Sequence, residues 1–339
     1  MLKKMLTIIP LLLVASSGVA GPLRVSLPPL MGAVPVALGA AWGMFAEEGV
    51  EIQLLPLASQ RDRLVAFQAG QIDAMVTDLT SAIMLASQMP GEVAIVSTAY
   101  YPTSNHPPHL ALITQDYSDL NDLADLVGME AKGAVRIAVP RQSDLEFALD
   151  MLFISQGLEP PEEAYIGQDD LLVNATWVLF GMVSCGVLPQ PYVDYLLNYK
   201  YEGKPRLTVL SDFSDIPIPP SVIVFHRLVL AAQLPDVDGF FRAIRRAVER
   251  VNGSSREELL ATGWDVAVEL FFPGLTPETL NPEAREKVET AIQAIHIPKL
   301  PEPGPVPKEM FELVRTWAKG KGYLAGTVDY DQVVAILGP

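Results

Sequence analysis

Cysteine is almost missing from the 339-residue chain: Cys185 is the only one. No intrachain disulfide can form and no cysteine-based zinc site is possible. Basic residues are scarce too, 24 Lys+Arg against 40 Asp+Glu, for a formal net charge of −16. A polyanion needs a basic face, so nucleic acid is not expected as a partner. Charge of either sign makes up only 19% of the chain and apolar residues 50%, which excludes a disordered acidic protein. The 24 glycines and 29 prolines are scattered as punctuation without a period, which excludes collagen-like and low-complexity chains. The motifs of zinc proteases, phosphate-binding loops and α/β-hydrolase nucleophiles are all missing.

The length suits about two domains. The first twenty residues stand apart from them. Lys3 and Lys4 precede an apolar run, Met5 to Val14, and small residues end in Gly18-Val19-Ala20. This order predicts a secretory signal peptide, residues 1–20, cut after Ala20. The alternative is a retained anchor, but the apolar run is about half the ~20 residues that span a bilayer. No cysteine lies near the cut to carry a lipid, and no later run resembles a membrane span. The expected location is the periplasm or extracytoplasmic space.

After residue 20 the pattern alternates. Leu23, Val25 and Leu27 read as a strand ending at Pro28-Pro29. A helix is expected over Ala33–Glu48, stopped by Gly49, and another over Arg61–Ala69, stopped by Gly70. Strands are expected at 50–54, 72–76 and 93–98, with Thr77-Asp78 capping a helix from Leu79. Four strands alternating with three helices predict a parallel sheet with helices on both faces. A Pro-rich crossing, Tyr100 to Pro108, precedes a second such series: strands at 109–114, 135–139, 164–166, 183–188 and 207–210. A second crossing, Ile216 to Pro220, leads back to a strand at 222–225 and a mainly helical tail. The expected fold class is α/β: two lobes, each a mostly parallel sheet flanked by helices, joined by two hinge crossings over a cleft. Residues 21–105 form the first part of lobe I, 106–217 lobe II, and 218–339 the return to lobe I with the C-terminal helices.

Several segments carry a family likeness: "ALGAAWGMFAEEG" at 37–49, "LVAFQAGQIDAMVT" at 64–77, "LADLVGMEAKGAVRIAVP" at 123–140, "VSCGVLPQPY" at 183–192, and the tail 311–333. In this ordered series the chain resembles the periplasmic solute-binding proteins of ABC importers, in the group for nitrate, sulfonates, taurine and thiamine-pyrimidine precursors. The resemblance spans roughly Leu23 to Val334. It implies two α/β lobes that close over a small solute and present it to an ABC permease in the membrane; a monomer without cofactor or catalysis is expected. It does not fix the solute. The alternative is a two-lobed enzyme on the same fold acting on a small cyclic carboxylate. An export signal argues against that, because such biosynthetic enzymes stay in the cytoplasm.

In open parallel sheets ligands sit beyond the carboxyl ends of the strands. That rule selects Pro28, Pro29 and Met31, then Thr77 and Asp78, then Tyr100 and Tyr101 in lobe I. In lobe II it selects Arg141 to Ser143 and Pro189 to Tyr192. Thr77, Asp78 and Ser143 open helices and can serve either as caps or as ligand contacts. Arg141 beside a helix start suits a single acid group; a solvated surface arginine is the equal alternative. Tyr100 and Tyr192 offer stacking faces for a flat heterocycle. The expected ligand-binding set is therefore Pro29, Met31, Thr77, Asp78, Tyr100, Arg141, Ser143 and Tyr192, and the expected solute a small heterocycle or organic monoacid. His106, His109 and His226 flank the crossings without carboxylates at ligand spacing, so they are expected to be solvated hinge residues and no metal site is expected. Asp73 is expected to be structural and Cys185 buried and inert.

Overall fold

The structure is a computed structural model that describes residues 21–55, 57–102, 108–116, 118–130, 133, 135–198 and 206–335. The expected signal peptide and the middle of the first crossing, with His106, lie outside the described residues.

Lobe I begins with β1 (Leu23–Ser26), α1 (Val34–Ala41), α2 (Met44–Glu47), β2 (Ile52–Leu55), α3 (Gln60–Gln68), β3 (Ala74–Asp78), α4 (Leu79–Gln88) and β4 (Val93–Tyr100). Lobe II follows with β5 (Leu110–Gln115), α5 (Leu123–Glu130), β6 (Ile137–Ala138), α6 (Asp144–Ser155), β7 (Tyr165–Ile166), α7 (Leu171–Leu179), β8 (Cys185–Pro189), α8 (Tyr192–Asn198) and β9 (Leu207–Ser211). The chain returns through β10 (Ser221–His226), α9 (Arg227–Ala232), α10 (Leu234–Gly253), α11 (Arg256–Phe271), α12 (Pro282–Ala294), α13 (Lys308–Gly320) and α14 (Tyr330–Val333).

The helix expected over 33–48 breaks in two. Gly43, at φ 74°, adopts a left-handed conformation between α1 and α2 that a residue with a Cβ resists. Gly49, at φ 75°, ends α2 where the sequence places the stop.

The two sheets share one topology, β2-β1-β3-β10-β4 and β7-β6-β8-β5-β9. In each, four strands run the same way and one runs against them: β10 pairs antiparallel with β3 and β4, and β5 with β8 and β9. The reversal follows from the crossings. A chain leaving the carboxyl end of β4 reaches lobe II on its cleft side and has to run away from the cleft. The second crossing imposes the same direction on β10.

Each sheet is sandwiched between two apolar layers. In lobe I, one layer joins α1, α2, α10 and α11 through Leu38, Phe45, Phe240 and Leu259, while α3, α4 and α13 cover the other face through Phe67, Ile83 and Phe311. In lobe II, α5 and α6 cover one face through Leu126, Leu149 and Phe153. The second face lies under α7 and α8 through Val178, Val193 and Leu196. Asp73 is structural, as expected: it accepts from the backbone N–H of Arg24 at 2.8 Å and pairs with its guanidinium at 2.6 Å. Cys185 is fully buried, and burial raises its thiol pKa well above the ordinary range.

The edge of lobe II is tight where it meets the cleft. A Cβ at Gly167 would stand 2.2 Å from the Val139 carbonyl oxygen. Gly167→Ala is expected to cost about 1–3 kcal/mol by forcing β7 from β6, read as a lower urea midpoint with an unchanged slope.

Candidate ligand-binding cleft

The carboxyl ends of the parallel strands in both sheets, and the starts of β5 and β10, converge on one cleft with a cavity of about 80 Å³. That is room for several waters or one small solute. Pro29, Met31, Thr77, Asp78, Tyr100 and Ser143 of the expected set line it. Thr77, Tyr100 and Met31 are almost fully buried, and no hydrogen-bond partner satisfies the Thr77 hydroxyl. The Tyr100 ring sits 4.9 Å from His109, and burial moves its pKa up to about 12.

Arg141 and Tyr192 stand behind the cleft and are not among its lining residues. The Arg141 guanidinium lies 2.9 Å from Glu146, contacts Glu162 and donates to the Tyr323 hydroxyl at 3.2 Å. Its side chain is 39% exposed and held in this ion-pair cluster. Tyr192, the first residue of α8, is buried with its hydroxyl unpartnered. Tyr101 is exposed. Arg141→Ala is therefore expected to lower stability while changing solute affinity less than about twofold, measured by urea unfolding alongside calorimetry.

The histidines correct a further expectation, since neither described member of the trio is a solvated hinge residue. His226 ends β10 away from the cleft, stacked on Phe67 at 3.8 Å, with its Nε2 2.8 Å from the Phe67 carbonyl oxygen. His109 lines the cleft with its Nδ1 unpartnered, and burial lowers its pKa to about 4, so its imidazole is neutral at pH 7.

Asp144, which the sequence offers only as a first-turn acid of its own helix, spans the cleft. It opens α6 in lobe II, yet its carboxylate caps α4 in lobe I. It accepts from the N–H of Leu79 at 3.0 Å, the N–H of Thr80 at 2.8 Å and the Thr80 hydroxyl at 2.7 Å. Asp78 caps the same helix from within its own lobe, accepting from the Ser81 N–H at 2.8 Å and its hydroxyl at 2.7 Å. Burial raises the pKa of both carboxyls, and the neighbouring Asp78 adds to the effect on Asp144. Gln60 adds a contact between the lobes, donating to the Gln142 carbonyl at 3.4 Å.

Arg63 is the cation of the cleft lining among the described residues. It is 4% exposed and donates to the carbonyls of Leu57 at 2.7 Å and Ala58 at 2.9 Å. Burial lowers its pKa to about 10, against the attraction of Asp78 and Asp169, so it stays charged at neutral pH. Gln190 also lines the cleft. Its amide N–H₂ group donates to Pro108 O at 2.9 Å and Asp194 Oδ1 at 3.0 Å, which leaves Oε1 as an unpartnered acceptor. The strand-end rule had reached residues 189–192; the side-chain roles of Arg63 and Asp144 depend on contacts it does not see.

The sequence model of the NMT1-like family matches residues 20–261. The chain belongs to the NMT1-like family. A search of curated protein sequences returns no match. Among solved structures, the chain is similar to the alkanesulfonate-binding protein SsuA from Xanthomonas axonopodis pv. citri bound to MOPS, at 15% identity and TM-score 0.68, covering 94% of this chain and 100% of that one. The periplasmic aliphatic sulphonate binding protein SsuA from Escherichia coli is similar at 15% identity and TM-score 0.66, with 94% of both chains covered. The periplasmic nitrate-binding protein NrtA from Synechocystis PCC 6803 is similar at 14% identity and TM-score 0.65, covering 92% of this chain and 86% of that one. These three structures share the two-lobed fold described above.

Proposed function

We propose that this NMT1-like protein is the extracytoplasmic solute-binding component of an ABC importer, holding a small organic solute between its lobes and handing it to a membrane permease. The observation that carries this reading is a cleft lined from both lobes, in which buried polar atoms of Arg63, Thr77, His109 and Gln190 have no protein partner. Buried polar groups are nearly always satisfied, so such a set points to a ligand that completes them. The similar structures named as periplasmic sulfonate- and nitrate-binding proteins support the same role. The two solute classes are a flat heterocycle and an organic monoacid. Tyr100, Pro29 and Met31 supply the apolar walls for either. The protein acts as an exported monomer that binds without catalysis. No helix among the described residues is long and apolar enough to cross a membrane.

Native mass spectrometry of protein purified without dialysis tests the role: a small molecule released only on unfolding is expected. Small-angle scattering after stripping and re-adding it should show compaction. A solute at 100 times its Kd adds roughly 2.7 kcal/mol of stability. Tyr100→Ala should weaken binding by about 1–3 kcal/mol. No retained molecule and no compaction with any tested solute would remove the importer reading. N-terminal sequencing of native material is expected to begin at Gly21; a Met1 start would remove the signal peptide.

A further inference from the structure

We propose that the solute presents a protonated nitrogen group, an amine or amidine, to the cleft and carries no anionic group; this rests on the solute-binding reading and selects against the monoacid. The first observation is that the start of α4 at the cleft is filled by the chain's own groups, and those of α6 and α7 in part. Asp78 and Asp144 together take the N–H groups of Leu79, Thr80 and Ser81 at α4. At α6, Ser143 takes the N–H of Glu146, while Glu146 takes that of Gln142 at 2.6 Å. At α7, Asp170 takes those of Leu172 and Val173. Free N–H groups at a helix start are the ordinary seat of a carboxylate, sulfonate or phosphate. At α4 an incoming anion would have to displace a buried carboxylate to reach them.

Charge balance points the same way. Asp78, Asp144 and Asp169 line the cleft against Arg63, and His109 is neutral. Arg63 commits its Nη1 to two carbonyls and leaves its Nε unpartnered, and with Asp144 holding its proton this one cation faces the carboxylates of Asp78 and Asp169. A further anion would add to that excess in a site of low dielectric, while a cation would relieve it.

Independently, the orphaned Gln190 Oε1 can only accept, because its own N–H₂ group is committed to Pro108 and Asp194. It calls for a donor from the solute. Each carboxylate has about four acceptor sites, so Asp78 and Asp144 retain capacity beyond their helix caps. The face of Tyr100 provides a further surface for a cation.

The test is calorimetry and thermal unfolding of the stripped, full mature chain with two sets of probes. One set is agmatine, histamine and putrescine; the other is ethanesulfonate, nitrate and benzoate. At least one of the amines is expected to bind and raise Tm, and none of the anions. Asp144→Asn and the partly exposed Asp169→Asn should each weaken amine binding roughly tenfold, the scale of one charged hydrogen bond. Amine binding should also release a proton from Asp144, seen as a heat that depends on buffer ionisation. The groups facing Asp144 in that exchange are Asp78, Asp169, Arg63 and His109. Binding of an anion without any amine would overturn this assignment and leave the importer reading standing. Amine binding unaffected by both substitutions would overturn it as well. No binding and no compaction with either set would overturn both.

Discussion

Lys321→Met is expected to destabilise the protein by about 3–5 kcal/mol, the cost of leaving buried carboxylates without their cation. Lys321 follows α13 in the tail, and its side chain is only 10% exposed. Its amine stands 2.8 Å from Asp150, 2.7 Å from Glu162 and 3.4 Å from Glu146. Glu146 and Asp150 lie on α6, within two turns of Asp144, the residue that spans the cleft. Trp317 adds an indole N–H to Asp150 at 2.8 Å, Tyr323 a hydroxyl to Glu146 at 2.8 Å, and Tyr165 a hydroxyl to Asp150 at 3.0 Å. The tail packs on lobe I through Phe311 and Val314, so this network ties lobe I to α6 of lobe II. Methionine keeps the stem packing and removes only the charge. Adding Asp150→Asn should recover part of the loss, because it removes one stranded carboxylate; urea unfolding of the four-member cycle gives the coupling directly. A loss below about 1 kcal/mol, typical of exposed ion pairs, would show that the cluster is solvated and does not join the lobes.

Much of the fold was legible in the sequence because period and punctuation agree. β1, α4 and α6 carry their alternation or cap in adjacent residues, and Gly49 marks a helix end by its backbone alone. Strand direction is not written in periodicity, so β5 and β10 could be found as strands while their reversal could not. The cleft was half legible. Thr77, Asp78, Tyr100 and Ser143 sit at strand ends, where topology alone places them. Arg141 occupies such a place too, but its partners Glu162 and Tyr323 come from 21 and 182 residues away and draw it behind the cleft. Arg63 looks like any arginine of a surface helix until Leu57 and Ala58 fold over it. Asp144 reads as an acidic first-turn residue of its own helix; only the facing lobe makes it the cap of another.

Asp144→Asn should remove the pH dependence that this one carboxyl imposes on stability. Burial beside Asp78 lifts its pKa from 3.8 to about 8 in the folded chain. The folded protein therefore keeps a proton there that the unfolded chain has already released. The stabilisation is complete below about pH 4 and is lost as pH rises towards 8. One pKa unit corresponds to about 1.4 kcal/mol, so between pH 5 and 7 the wild type should lose roughly 2–3 kcal/mol through Asp144. Asparagine holds the neutral form at every pH. It still accepts from Thr80 through its carbonyl but gives up the bond from Leu79, a constant cost of about 1 kcal/mol. The variant should thus be slightly weaker than wild type near pH 4 and clearly stronger near pH 8, with the two urea midpoints crossing between them. Agmatine, if it takes the place of the proton, should restore the wild type at pH 8 and leave the variant unchanged. Parallel midpoints from pH 4 to 8 would mean that Asp144 ionises as an ordinary solvated carboxyl, with the lobes open around it.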